Sequence, residues 1–133
     1  MDKLIELEGL APELYPWVGP LVMNAEVLKQ NYNFPFRTAE NFRWYLSVAG
    51  NGVNGFLPVE HRKKEWLINN YYVRDHNPVV LQDLLQCVVR AAAAEGRMLA
   101  AVVFLEDRDV FAEAGFEEVR RWTRYVRMVK NSL

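Results

Sequence analysis

WLINNYYVRDHNPVVLQDLL, Trp66 to Leu85, decides how this chain folds. Trp66 to Val73 is apolar on both faces apart from Asn69 and Asn70, which predicts a central strand. Asn77 followed by Pro78 reads as a helix N-cap with a proline in the first turn. From there Leu81, Leu84, Leu85, Val88 and Ala92 hold one apolar face, and Gly96 supplies the stop. The next apolar run, MLAAVVFL (Met98 to Leu105), reads as a fully buried strand. A helix joins it to the first strand, so the two are predicted to lie parallel.

Outward from this unit the pattern is mainly antiparallel. LIELEGL near the start alternates well enough for a first strand. Ala11 to Gln30 reads as helical, with Pro12, Pro16, Gly19 and Pro20 breaking any long helix. NYNFPF is a loop, and Thr38 is placed to cap a short helix through Ala39, Glu40, Asn41 and Phe42. RWYLSVA then turns at GNG into VNGFLPVE, a hairpin in which Pro58 points to an edge or a bulge. HRKK, His61 to Lys64, makes the turn into the central strand. DVFAEAGF reads as a short helix ending on Gly115, and EEVRRWTRYVRMVK as one last long strand. The fold class is α+β (an α/β three-layer arrangement): a mixed, mainly antiparallel sheet with helices on both faces, in a single domain over 1–133.

Composition narrows the function classes. The 133 residues are 51% hydrophobic and 25% charged, the balance of a globular protein with one real core. MLAAVVFL is far too short to span a bilayer, and MDKLIELEGL lacks a signal-peptide pattern, so a cytoplasmic protein without membrane attachment is expected. Cys87 is the one cysteine, which excludes an internal disulfide and a multi-cysteine metal site. His61 and His76 are too isolated to argue for a metal, and no dinucleotide, P-loop or zinc spacing occurs. A net charge of −1 argues against a nucleic-acid partner. Arg120, Arg121, Arg124, Arg127 and Lys130, interleaved with Trp122 and Tyr125, read as the solvated face of the final strand.

The order of elements, Gly55-Phe56 in the hairpin, WLINNYYV running into VR and a helix, and FAEAGFEEV before the final strand together resemble the GNAT superfamily of acyl-CoA-dependent N-acetyltransferases. The similarity covers nearly the whole chain and rests on order and spacing. It implies a central strand that bulges and splays from the next, with acyl-CoA wedged between WLINNYYV and MLAAVVFL. Acetyl-CoA would be the cofactor, with no metal. Pantetheine contacts would come from Asn70, Tyr71, Tyr72 and Val73, and the acyl group would end near Asn69 and Asn70. The pyrophosphate would meet His76 to Leu81, with His76, Asn77, Val79 and Val80 as its contacts. An amine, small-molecule or protein, would be the acceptor, and the final strand could pair across a homodimer.

Two places depart from the family's pattern. The glycine-rich phosphate turn is replaced by one holding Asp75, Asn77, Pro78 and Val79, with no glycine. Pro78 has no N–H to give a phosphate, and Asp75 adds charge of the wrong sign. The tyrosine that the family uses to protonate the CoA thiolate falls on Phe111. Tyr72 is then the candidate acid and Glu65 the candidate base, with Tyr71 and Glu60 as weaker alternatives. Two readings stay open: an N-acetyltransferase with an atypical cofactor turn, and a catalytically inactive domain of the same fold that binds a partner or ligand.

Overall fold

The computed structural model of the chain describes residues 2–50 and 52–131. Eight strands share one sheet: β1 (Lys3–Glu8), β2 (Phe42–Ala49), β3 (Gly52–His61), β4 (Trp66–Ile68), β5 (Tyr72–Val73), β6 (Leu99–Phe104), β7 (Glu117–Arg121) and β8 (Tyr125–Lys130). Four helices accompany them: α1 (Leu14–Val22), α2 (Ala25–Gln30), α3 (Pro78–Ala94) and α4 (Arg108–Glu113). The strand order is β1-β2-β3-β4-β6-β8-β7, with β5 paired to β3. Every pairing is antiparallel except β4 with β6, the junction for which the sequence predicts parallel strands.

Two apolar layers cover the sheet's faces. Leu81, Leu84, Leu85 and Val88 of α3, with Phe111 of α4, pack on one side against Ile68, Tyr71, Val103 and Met128. Leu14 and Val18 of α1, with Val27 of α2, pack on the other against Trp44, Leu46, Phe56 and Tyr72. Tyr71, just before β5, joins the first layer and Tyr72 the second, so the two neighbouring rings face opposite sides of the sheet.

Local signals around α3 act as the residues dictate. Asn77 Oδ1 accepts from the amides of Val79 (3.0 Å) and Val80 (3.4 Å). At the other end Gly96 adopts φ +65°, the amide of Arg97 donates to the Ala92 carbonyl, and that of Gly96 to Ala93. This is the six-to-one and five-to-two pairing of a glycine stop.

Four expectations are corrected. Thr38 caps no helix; residues 39–41 turn directly into β2, while Thr38 Oγ1 donates to the Gly9 carbonyl and accepts from Trp44 Nε1. A tertiary partner has taken the hydroxyl that a cap would use. Ala11–Gln30 is helical and interrupted as expected, but the break is not at a proline: Pro16 sits in the first turn of α1, Pro20 lies inside it, and the break falls at Met23–Asn24, where Asn24 caps α2. The final segment is two strands, since a single strand from Glu117 to Lys130 would outrun every other in the sheet; the Trp122 amide closes the hairpin onto the Tyr125 carbonyl at 2.8 Å. WLINNYYV is likewise two strands, β4 and β5, separated at Asn69–Tyr71. Pro58 of β3 lies opposite that interruption, between the Val59–Ile68 and Phe56–Tyr72 pairs. Of the predicted GNG turn, Gly50 takes φ +61° and Asn51 lies outside the described residues.

Candidate functional site

The interruption between β4 and β5 opens the sheet. Asn70 takes φ +54°, a left-handed conformation that Asn tolerates better than most residues, and the chain bulges there. Before the bulge β4 pairs with β6; after it β5 keeps only β3, while Val102, Val103 and Phe104 of β6 continue along β8. A wedge is left between β5 and the end of β6.

Side chains of the chain itself reach across that wedge. The Tyr71 hydroxyl donates to Asp107 Oδ2 (2.6 Å) and accepts from the Phe104 amide (3.2 Å). It thus replaces the strand partner that Phe104 loses where the sheet splays. Gln30, the last residue of α2, donates through Nε2 to the Val73 carbonyl at 3.0 Å. Asn31 Nδ2 donates to Asn70 Oδ1 at 3.2 Å, tying the helix end to the bulge. The ring of Tyr32 packs on Phe104 and Tyr125, with the Arg124 guanidinium 4.4 Å above it. No sequence pattern marks Gln30 or Tyr32 for this role.

The turn after β5 is folded inward. His76, at φ +50°, brings Nδ1 to 3.4 Å from Asp107 Oδ1 and Nε2 to 3.6 Å from Glu106 Oε2. Burial raises the Asp107 carboxyl above its usual range, while the Tyr71 hydrogen bond and His76 oppose the rise. Burial likewise pushes the Tyr71 hydroxyl well above its ordinary value, with the Asp107 charge adding to it. A hydroxyl so held is a poor proton donor at neutral pH.

The first turn of α3 has no amide to spare. Pro78 lacks one, Val79 and Val80 donate to Asn77 Oδ1, and Leu81 donates to the Asn77 carbonyl. Asn77→Ala is expected to cost about 1 kcal/mol, read as a lower urea midpoint at unchanged slope.

The candidate catalytic residues lie at the two ends of the β4–β5 segment. Tyr72 is buried beside Phe56, and burial raises its hydroxyl. Glu65, before β4, accepts from Arg127 Nη2 at 2.9 Å. The interruption at Asn69–Tyr71 lies between the two. Phe111 is fully buried against Tyr71 and Phe116.

Solved structures share this arrangement of strands and helices. ElaA of Escherichia coli superimposes over 97% of this chain and 99% of its own, with TM-score 0.75 at 14% identity. An acyl-CoA N-acyltransferase from Pseudomonas aeruginosa matches over 98% and 99%, with TM-score 0.76 at 11% identity. The chain has the GNAT acetyltransferase fold. A GNAT-family acetyltransferase from Elizabethkingia anophelis, solved with acetyl-CoA bound, matches over 98% and 97%, with TM-score 0.64 at 14% identity. No protein-family model matches the sequence, and no curated protein matches it.

Several backbone groups along the splay and the turn after it are already paired within the chain. The Val73 carbonyl is engaged by Gln30, the Phe104 edge by Tyr71, and the α3 amides by Asn77. Among the described residues no group of three or more His, Cys, Asp or Glu side chains is placed to hold a metal ion. No helix among them is long and apolar enough to cross a membrane.

Proposed function

We propose that this chain is a GNAT-fold domain whose cofactor wedge is sealed by its own side chains, and that it acts as a non-catalytic binding module. The observation that carries this reading is the Tyr71 hydroxyl, seated between the Phe104 amide and Asp107 where a wedged ligand would lie. Phe111 at the position of the family's proton donor points the same way. Calorimetry and thermal unfolding with acetyl-CoA and with CoA test it. No heat and no change in melting temperature at millimolar ligand are expected. A ligand at a hundred times its Kd adds about 2.7 kcal/mol, roughly ten degrees for a domain of this size, and a rise of that order would overturn the reading.

A second reading is favoured by the bulge at Asn70 and the splay, which persist although no strand partner requires them. It is an acetyl-CoA-dependent N-acetyltransferase in which Gln30 to Tyr32 withdraw to admit the cofactor, with an amine acceptor, Tyr72 as acid and Glu65 as base. Saturable acetyl-CoA binding in the same titration supports it, and its absence removes it.

A further inference from the structure

An apolar pocket of about 260 Å³ lies between α1, the loop after β1 and the strap Phe36–Thr38. Its wall is Leu14, Val18 and Val22 of α1 with Phe36, and Trp44 forms the floor. The polar atoms there satisfy one another: Trp44 Nε1 donates to Thr38 Oγ1 (2.9 Å), which donates to the Gly9 carbonyl (2.8 Å). A β-carbon on Gly9 would run into the Ala39 carbonyl oxygen, so the loop and the strap approach as closely as only glycine permits. The result is a dry floor with no hydrogen-bonding demand of its own.

The mouth is different. Leu10 and Tyr15 stand beside it 65% and 67% exposed and extend its apolar surface at the rim. Arg37 lines the same pocket and has no ion pair among the described residues. An apolar cleft bordered by one guanidinium suits a ligand with an apolar body and an anionic end, and a planar carboxylate matches the guanidinium fork. The volume lies below the range of drug-sized sites, which limits the body to a single ring or a short branched chain.

We propose that this pocket binds a small carboxylate carrying one aromatic ring or a short branched aliphatic group, with the carboxylate on Arg37 and the apolar body against Trp44. Arg37 also borders a smaller cleft with Asn69 and Asn70, but no residue of this pocket takes part in the hydrogen bonds across the wedge, so the proposal stands whether or not acyl-CoA binds.

The test is a titration of isotope-labelled protein with 3-phenylpropionate and with its neutral counterpart 3-phenylpropanol, following the Trp44 indole N–H and the Gly9 amide. A saturable shift of both signals by the acid in the low-millimolar range is expected. Arg37→Gln, at an exposed position, should weaken the acid about tenfold and leave the alcohol unchanged. Ala11→Phe and Val22→Phe, each reaching into the pocket from its rim, should abolish both shifts while the melting temperature holds. No saturable shift of the Trp44 indole, equal affinity for acid and alcohol, or an unaltered acid affinity in Arg37→Gln would each overturn the proposal.

Discussion

Phe56→Ala is expected to remove about 4 kcal/mol of stability. Phe56 is fully buried, and its ring packs on Phe36 at 5.1 Å, Trp44 at 5.2 Å and Tyr72 at 5.7 Å between centroids. It is therefore the common neighbour of the strap, of β2 and of β5. The pair Phe56–Tyr72 is also one of only two that hold β5 in the sheet. Truncation leaves a void that the flanking aromatic rings cannot close without leaving their own contacts, so the cavity term adds to the lost transfer energy. A domain of this size keeps roughly 5–15 kcal/mol in total, so the variant should lose a large share of its folded margin. Phe56→Leu retains most of the volume and should cost under about 1.5 kcal/mol. Urea unfolding of the pair measures both values. A Phe56→Ala loss no greater than that of Phe56→Leu would mean that the layer collapses freely, against the packing described.

What could be read from the residues is what short-range physics controls. The α3 unit is legible because its cap, its proline, its apolar stripe and its stop lie within twenty residues and all agree. The parallel junction follows from the helix that separates two apolar strands. The bulge is implied by the family resemblance alone; Asn69 and Asn70, exceptions within one continuous predicted strand, do not mark it. Elements set by distant partners are not legible in the same way. Thr38 resembles a cap in isolation and becomes a link between Gly9 and Trp44 in the fold. The hairpin at Trp122–Arg124 contains no glycine, proline or asparagine, so its turn is imposed by the sheet's length. The seal of the wedge is the extreme case. Gln30 and Val73 are 43 residues apart in the chain, and nothing about a glutamine at a helix end announces where its side chain will go. The altered phosphate turn could be read, and the filled wedge behind it could not.

Tyr71→Phe is expected to cost about 3 kcal/mol at neutral pH, although it removes one oxygen atom. That oxygen serves two buried groups at once, the Phe104 amide and Asp107 Oδ2. Without it a buried donor and a buried carboxylate oxygen each lose a partner, and such groups cost about 1–3 kcal/mol apiece. The loss should depend on pH, with a sign that follows from Asp107. Burial already raises its folded-state pKa above the unfolded value, and the Tyr71 hydrogen bond is among the influences opposing that rise. A raised carboxyl binds its proton more readily in the folded state, so its stability contribution is present at low pH and is lost as pH rises through the folded pKa. Removing the hydroxyl raises that pKa further, and the deficit of Tyr71→Phe should shrink as the medium is acidified from neutrality towards the ordinary carboxyl range. Urea midpoints of both proteins across that interval measure the difference, and a deficit independent of pH would refute the role assigned to Asp107. The same variant separates two views of the wedge. If the Tyr71 seal alone keeps acyl-CoA out, Tyr71→Phe should begin to bind it. The α3 amides remain taken by Asn77 and the Val73 carbonyl by Gln30, so the expected outcome is a destabilised protein that still binds no acetyl-CoA.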